Sequence, residues 1–190
     1  MIVQLAGLPG TGKSTLARAL ARELGPTTLL LDKDRIRDAL FGPHLVAYTR
    51  DQDDFCVRLM HQTAARHFRE HPGAAAVLDG RTCSRRYQIE EVQHLAEETG
   101  QPLHIIECVC PDHVAARRLQ QDQLAGTHPA ANRDHDLYSR LKARAEPITL
   151  PTMRLDTSAP LAHCTREAVT YLTAEHALAF PPAPKGAPAP

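Results

Sequence analysis

Residues 7–14 read Gly7-Leu8-Pro9-Gly10-Thr11-Gly12-Lys13-Ser14, which matches the spacing Gly-x-x-x-x-Gly-Lys-Ser. A polyphosphate needs several backbone N–H donors turned toward it. Glycines let a chain curl that tightly, and a helix that begins at the end of the loop adds the positive end of its dipole. The lysine ammonium suits the β- and γ-phosphates, and the following hydroxyl suits magnesium. Gly7, Gly10, Thr11, Gly12, Lys13, Ser14 and Thr15 are therefore candidate nucleotide-binding residues, with Lys13 also a candidate catalytic cation and Ser14 a candidate metal ligand.

Two further groups of charged residues each follow an apolar run. Leu31-Asp32-Lys33-Asp34-Arg35-Ile36-Arg37 carries two carboxylates two positions apart. A carboxylate here can hold magnesium, accept a proton from an attacking hydroxyl, or cap a short helix. Asp32 is a candidate metal residue or cap, and Asp34 a candidate general base. Arg37, one helical turn on, is placed to pair with Asp34 or to contact an anionic acceptor group. After Ala74 to Leu78 come Asp79, a candidate magnesium residue, then Gly80, which permits close approach of a ligand, and Arg81, a candidate substrate contact; Arg86 reads as a solvated helix residue. Arg117, Arg118 and Arg133 flank a Gly/Pro segment and are candidate arginines for a closing loop, where positive charge would aid phosphoryl transfer.

Other signals carry less chemistry. Asp51-Gln52-Asp53-Asp54 lacks calcium-loop spacing and reads as a charged helix start. The histidines show no metal-ligand spacing, and His104 reads as a half-buried strand residue. Five cysteines without paired spacing read as reduced thiols in a cytoplasmic protein.

The elements that must position these residues alternate strand and helix. Strands are expected at 2–6, 28–31, 74–78, 103–109 and 152–155. Helices are expected at 13–24, 35–40, 54–70, 86–99, 111–124, 134–145 and 161–179. Gly42-Pro43 should break the chain after the second helix, and 125–133 reads as a mobile loop. This alternation implies parallel strands, right-handed crossovers and helices on both faces, with ligands at the carboxyl ends of the strands. Domain size suits 190 residues as one unit, 1–179, followed by a disordered Pro/Ala-rich tail at 180–190.

The formal net charge of +0, the absence of Trp and the few aromatic residues disfavour a nucleic-acid substrate. No apolar run approaches the roughly 20 residues needed to span a bilayer, and no targeting segment is recognisable at the start.

Gly-Leu-Pro-Gly-Thr-Gly-Lys-Ser-Thr, then Leu-Asp-Lys-Asp-Arg-Ile-Arg, then Val-Leu-Asp-Gly-Arg-Thr resemble the small P-loop kinases over about 1–172. The branch they look most like includes phage polynucleotide kinase, chloramphenicol phosphotransferase and the zeta toxins, and is sometimes labelled AAA-type. The resemblance implies a three-layer α/β P-loop kinase fold with a five-stranded parallel sheet in the order 2-3-1-4-5 and a lid at about 118–134. It implies Asp34 as general base, Arg37 as acceptor-site arginine, Asp79 at the magnesium end of its strand, and 156–158 near the adenine. Relatives often carry an arginine one turn after the position of Arg118; Asp122 stands there in this sequence, which leaves Arg133 as the lid arginine. The expected cofactors are ATP, with GTP as the alternative, and Mg2+; no guanine-selecting Asn-Lys-x-Asp run is present. The expected activity is transfer of the γ-phosphoryl group to a hydroxyl of a small molecule or nucleotide. The alternatives are a 5′-hydroxyl polynucleotide kinase and a nucleotide-gated ATPase without an acceptor. The stretch 42–70, with Tyr48, Arg50, Asp53, Arg58 and His61, is expected to supply part of the acceptor pocket.

Overall fold

The structure, a computed structural model, describes residues 1–125 and 135–179. Arg133, with the rest of 126–134, and the tail at 180–190 lie outside the described residues. Five strands, β1 (Ile2–Ala6), β2 (Leu29–Asp32), β3 (Ala76–Asp79), β4 (Leu103–Val109) and β5 (Thr152–Asp156), form one sheet in the order β2-β3-β1-β4-β5. Every pairing is parallel. This is the expected order.

Helices on both faces explain why β1 is apolar and buried at every position but Gln4, which is buried too. Successive residues of a strand face opposite ways. Val3, Leu5 and Val77 pack with Leu16 and Leu20 of α1 (Lys13–Glu23) and Leu172 of α7 (Leu161–Ala179). Ile2, Ala76 and Leu78 pack on the other side with Met60 and Phe68 of α3 (Arg50–Glu70) and Val92 and Leu95 of α4 (Arg86–Thr99). The remaining helices are α2 (Lys33–Leu45), α5 (Asp112–Ala125) and α6 (His135–Ala143).

Two helices start earlier than the apolar pattern indicates. Asp32 ends β2 and caps α2 at once, its Oδ1 accepting from the N–H groups of Asp34 (2.9 Å) and Arg35 (3.4 Å). The cap at this helix is therefore Asp32, which leaves Asp34 one residue inside. The expected break falls at Gly42, whose φ of 57° and ψ of −175° interrupt α2. Thr49 caps α3 through Gln52 N–H, so this helix begins at Arg50 rather than Asp54.

Gly80 lines a cleft and also makes a close approach within the protein. Its φ is +89°, and a Cβ there would lie 2.8 Å from Lys33 Cβ and 2.9 Å from Lys33 N. The close approach is thus between the end of β3 and the start of α2, and it sets where Asp32 and Asp34 stand relative to Asp79. Gly80→Ala adds both a clash and a left-handed backbone to a residue with a Cβ. We expect a loss of about 1–3 kcal/mol, seen in thermal melts as a Tm lowered by about 2–4 °C per kcal/mol.

Candidate active site

The loop after β1 turns back on itself through positive φ at Gly7, Gly10 and Gly12. Gly12 stands at the N-cap of α1 with φ 81° and no side-chain cap. The first turn of α1 presents the positive end of the helix dipole, which favours an anionic partner. Lys13 is 4 % exposed and folds over the loop, its Nζ donating to the carbonyls of Gly7 (2.7 Å) and Leu8 (2.8 Å). Thr11 donates to Leu8 O at 2.8 Å.

Beside the loop lies a cleft of about 590 Å³ lined by Gly10, Gly12, Lys13, Ser14 and Thr15 from the loop, with Asp32, Arg118, Asp122 and Thr157 on its other walls. Arg118 joins β5 to the loop: Nη2 donates to Thr157 O (2.7 Å), and Nη1 donates to Thr157 Oγ1 (3.2 Å) and Gly10 O (3.4 Å). Thr157 Oγ1 in turn donates to Thr11 O at 2.7 Å. Arg118 is therefore a wall of this cleft, tied to the loop's backbone. Arg117 is exposed and lines neither this cleft nor the next, since neighbouring residues of a helix lie about 100° apart.

The strand ends bring the carboxylates together. Asp32 and Asp79 are register partners across β2 and β3. Asp32, Asp79 and Ser14 line one recess. Asp79 is 1 % exposed and its Oδ1 has no hydrogen-bond partner among the described residues. Burial pushes the Asp32 carboxyl above its ordinary range, and the neighbouring Asp79 and Asp34 push it the same way. An orphaned buried carboxylate oxygen, a crowded second carboxylate and a hydroxyl fit Mg2+, which takes one or two carboxylates and completes its shell with water and phosphate oxygens. Among the described residues no group of three or more His, Cys, Asp or Glu could hold a metal alone, and Mg2+ of this type needs none.

On the other side of Lys13 and Ser14 opens a second cleft of about 360 Å³, which also takes in Asp34, Arg37 and Arg81. Asp34 Oδ1 accepts from Arg37 Nη1 at 2.8 Å and lies 3.4 Å from Lys33 Nζ. Asp53, from the first turn of α3, pairs with both Lys33 (3.1 Å) and Arg37. Arg81 pairs with Asp54 at 2.8 Å and Glu91 at 3.1 Å. Tyr48, itself at φ 48°, lies under the Arg37 guanidinium at 5.3 Å.

The sequence placed Asp34, Arg37 and Arg81 at this end of the sheet, and all three line the cleft. Tyr48, Arg50 and Asp53 line it as expected of 42–70, whereas Arg58 and His61 do not. Asp53 and Asp54 do begin a helix, but they also reach the site as partners of Lys33, Arg37 and Arg81. Tyr87 and Lys33 were missed as site residues as well; the loop 80–85 and the packing of α3 bring them there, and no local spacing announces it. Arg86 is exposed, as a solvated residue should be. His104 is 5 % exposed and packs edge-on against Tyr171, deeper than half-buried.

Asp32 yields a test of the carboxylate crowding. Its folded pKa lies above the ordinary 3.8. The stability it contributes is then present below the unfolded pKa and lost as pH rises through the folded one. Asn caps helices as well as Asp. In the absence of metal and nucleotide, Asp32→Asn should raise Tm at pH 7. The gain should shrink as pH approaches 4. An equal or lower Tm at pH 7 would show that the carboxylates do not repel.

A model of the AAA domain family matches residues 2–148. No curated protein matches the chain. Several solved structures share its fold. A gluconokinase from Sinorhizobium meliloti 1021 aligns with a TM-score of 0.65 at 18% identity, covering 94% of this chain and 95% of its own. The Mycobacterium tuberculosis APS kinase in complex with AMPPNP and APS aligns at 0.68 and 19% identity, covering 90% and 96%. Kti12 from Chaetomium thermophilum in complex with ADP-AlF3 aligns at 0.69 and 16% identity, covering 92% and 98%. At these identities the likeness is one of fold. With the family model spanning most of the sequence and the sheet order and phosphate loop in place, the chain belongs to the AAA domain family and is a small P-loop kinase-like protein.

Proposed function

We propose that the protein transfers the γ-phosphoryl group of ATP to a hydroxyl of a small molecule or nucleotide. One observation carries this reading: Lys13 and Ser14 line both clefts, while Asp34 lines only the one away from Arg118 and Thr157. The larger cleft suits the nucleotide and the smaller one the acceptor, so the transferring group would sit where the two meet, beside Lys13.

The loop amides and the free end of α1 would hold the phosphates by hydrogen bonds aimed at negative charge. Lys13 would exchange the carbonyls of Gly7 and Leu8 for phosphate oxygens and follow the charge onto the leaving β-phosphate. Ser14, Asp79 and Asp32 are the residues that would hold Mg2+, which when bound neutralises charge on the β- and γ-phosphates. Asp34 would accept the acceptor's hydroxyl proton as the new O–P bond forms and the bond to the β-phosphate breaks. Arg37 and Lys33 keep that carboxylate oriented by direct ion pairs. Asp34 Oδ1 is engaged by Arg37 and Lys33, and this favours as a second reading a nucleotide-gated ATPase without an acceptor, in which those pairs are structural.

Radiolabelled ATP offered with panels of alcohols, nucleotides and a 5′-hydroxyl oligonucleotide distinguishes the readings. Lys13→Ala should abolish nucleotide binding or turnover. Asp34→Asn should keep ATP affinity and lose transfer by a factor of about 10²–10⁴. Near-normal transfer by Asp34→Asn removes that residue from the role of base. Labelled phosphate released without labelled product supports the ATPase. Labelling of the oligonucleotide, suppressed by added salt, supports the nucleic-acid acceptor.

A further inference from the structure

The smaller cleft holds more cationic surface than the proposed transfer uses. Tyr87, near the start of α4, has two guanidinium groups over its ring, Arg50 at 4.9 Å and Arg81 at 5.3 Å from the centroid. All three line the cleft. Two cations gathered on one ring repel each other, and the attraction of each for the ring is worth about 0.5–1 kcal/mol at exposed sites. The arrangement gains most when an anion lies between them.

The partners of each arginine point the same way. Arg81 is 6 % exposed, yet its Nε and Nη1 are buried without a hydrogen-bond partner among the described residues. Only Nη2 is engaged, by Asp54 and Glu91. Glu91 does not line the cleft. Arg50 is exposed and has no carboxylate within ion-pair distance among the described residues. Arg85, also in the lining, pairs with Glu146, which lies outside it. Within the lining, Lys33 and Arg37 are matched by Asp34 and Asp53, and Arg81 by Asp54, which leaves Arg50 and Arg85 without a carboxylate of the lining among the described residues. The surplus therefore sits on the Tyr87 side, away from the proposed base and its partners.

We infer that the molecule filling this cleft carries a fixed anionic group, a phosphate, sulfate or carboxylate, seated between Arg50 and Arg81 beside Tyr87. This rests on the phosphotransferase reading for the claim that the molecule is the acceptor: its anionic group is held there while its hydroxyl faces Asp34. A planar guanidinium presents paired donors that match an oxyanion's two oxygens. Arg50, free of competing carboxylates, supplies the entering contact. Arg81, held by Asp54 through Nη2 with Nε and Nη1 left over, supplies the fixed one.

The test uses the full chain saturated with Mg2+ and a non-hydrolysable ATP analogue, so that the phosphate loop is filled. Inorganic phosphate, and acetate in a separate series, are titrated while the side-chain Nε–H signals of Arg50 and Arg81 are followed by NMR. Saturable shifts with a dissociation constant on the order of 1 mM are expected for at least one anion, the stronger of the two telling a tetrahedral oxyanion from a carboxylate. Arg50→Gln, at an exposed position, should weaken binding at least tenfold, and Arg50→Lys should recover part of it. No saturable shift, or titrations identical in the wild type and Arg50→Gln, overturns the inference. Matched alcohols then separate the two readings. An anionic alcohol favoured about 10²-fold in kcat/KM over its neutral counterpart, with Arg50→Gln acting on KM rather than kcat, supports both. Equal turnover of neutral and anionic alcohols overturns the anion site and leaves the phosphotransferase. Anion binding at Arg50 with no alcohol phosphorylated supports the site and overturns the transferase.

Discussion

The uncapped first turn of α1 is the feature around which the molecule is arranged. A helix that begins at a glycine in the left-handed region, with no side-chain cap from that residue, holds a concentrated partial positive charge. Lys13 adds a full charge, nine-tenths and more buried, that the loop's own carbonyls hold in place. A site built this way favours a polyanion, and the opposing charge must come from elsewhere. β2 and β3 deliver it as carboxylates at their ends, close enough to β1 because the three strands are adjacent and in parallel register.

That closeness carries a cost. Asp32, Asp34 and Asp79 converge; burial pushes the Asp32 carboxyl above its ordinary range, and Asp79 and Asp34 push it the same way. The chain offsets it in two ways. Asp32 spends one oxygen as a helix cap, a use that favours the ionised form. Asp34 is drawn toward Arg37 and Lys33, which also meet Asp53. Among the described residues Asp79 has no such partner for Oδ1, which is why this oxygen and its surroundings suit a divalent cation.

The two clefts share Lys13 and Ser14 but differ in their walls. Around the larger, Arg118 and Thr157 are engaged with backbone groups of the loop, so their donors serve architecture first. Around the smaller, two tyrosines each lie beneath arginines, and the arginines differ in how fully carboxylates answer them. Asp34 is held by two cations, whereas Arg50 has no carboxylate within ion-pair distance among the described residues.

Much of this was legible in the order of residues along the chain. The phosphate loop, the strand–helix alternation and the carboxylates following β2 and β3 are local patterns: period, turn chemistry and spacing depend on neighbours a few residues away. The strand order came from resemblance to the small P-loop kinases, and the pairings agree with it. Boundaries were less legible, because caps such as Asp32 and Thr49 begin a helix before its apolar face does. What only the tertiary structure decided is which distant charges meet. Asp53 lies 20 positions from Lys33 and Asp54 lies 27 from Arg81. Gly80 closes on Lys33 while also lining the smaller cleft. Such contacts depend on how α3 crosses the sheet and how tightly β3 meets α2. These are matters of packing between elements far apart in sequence, and a linear pattern holds no record of them.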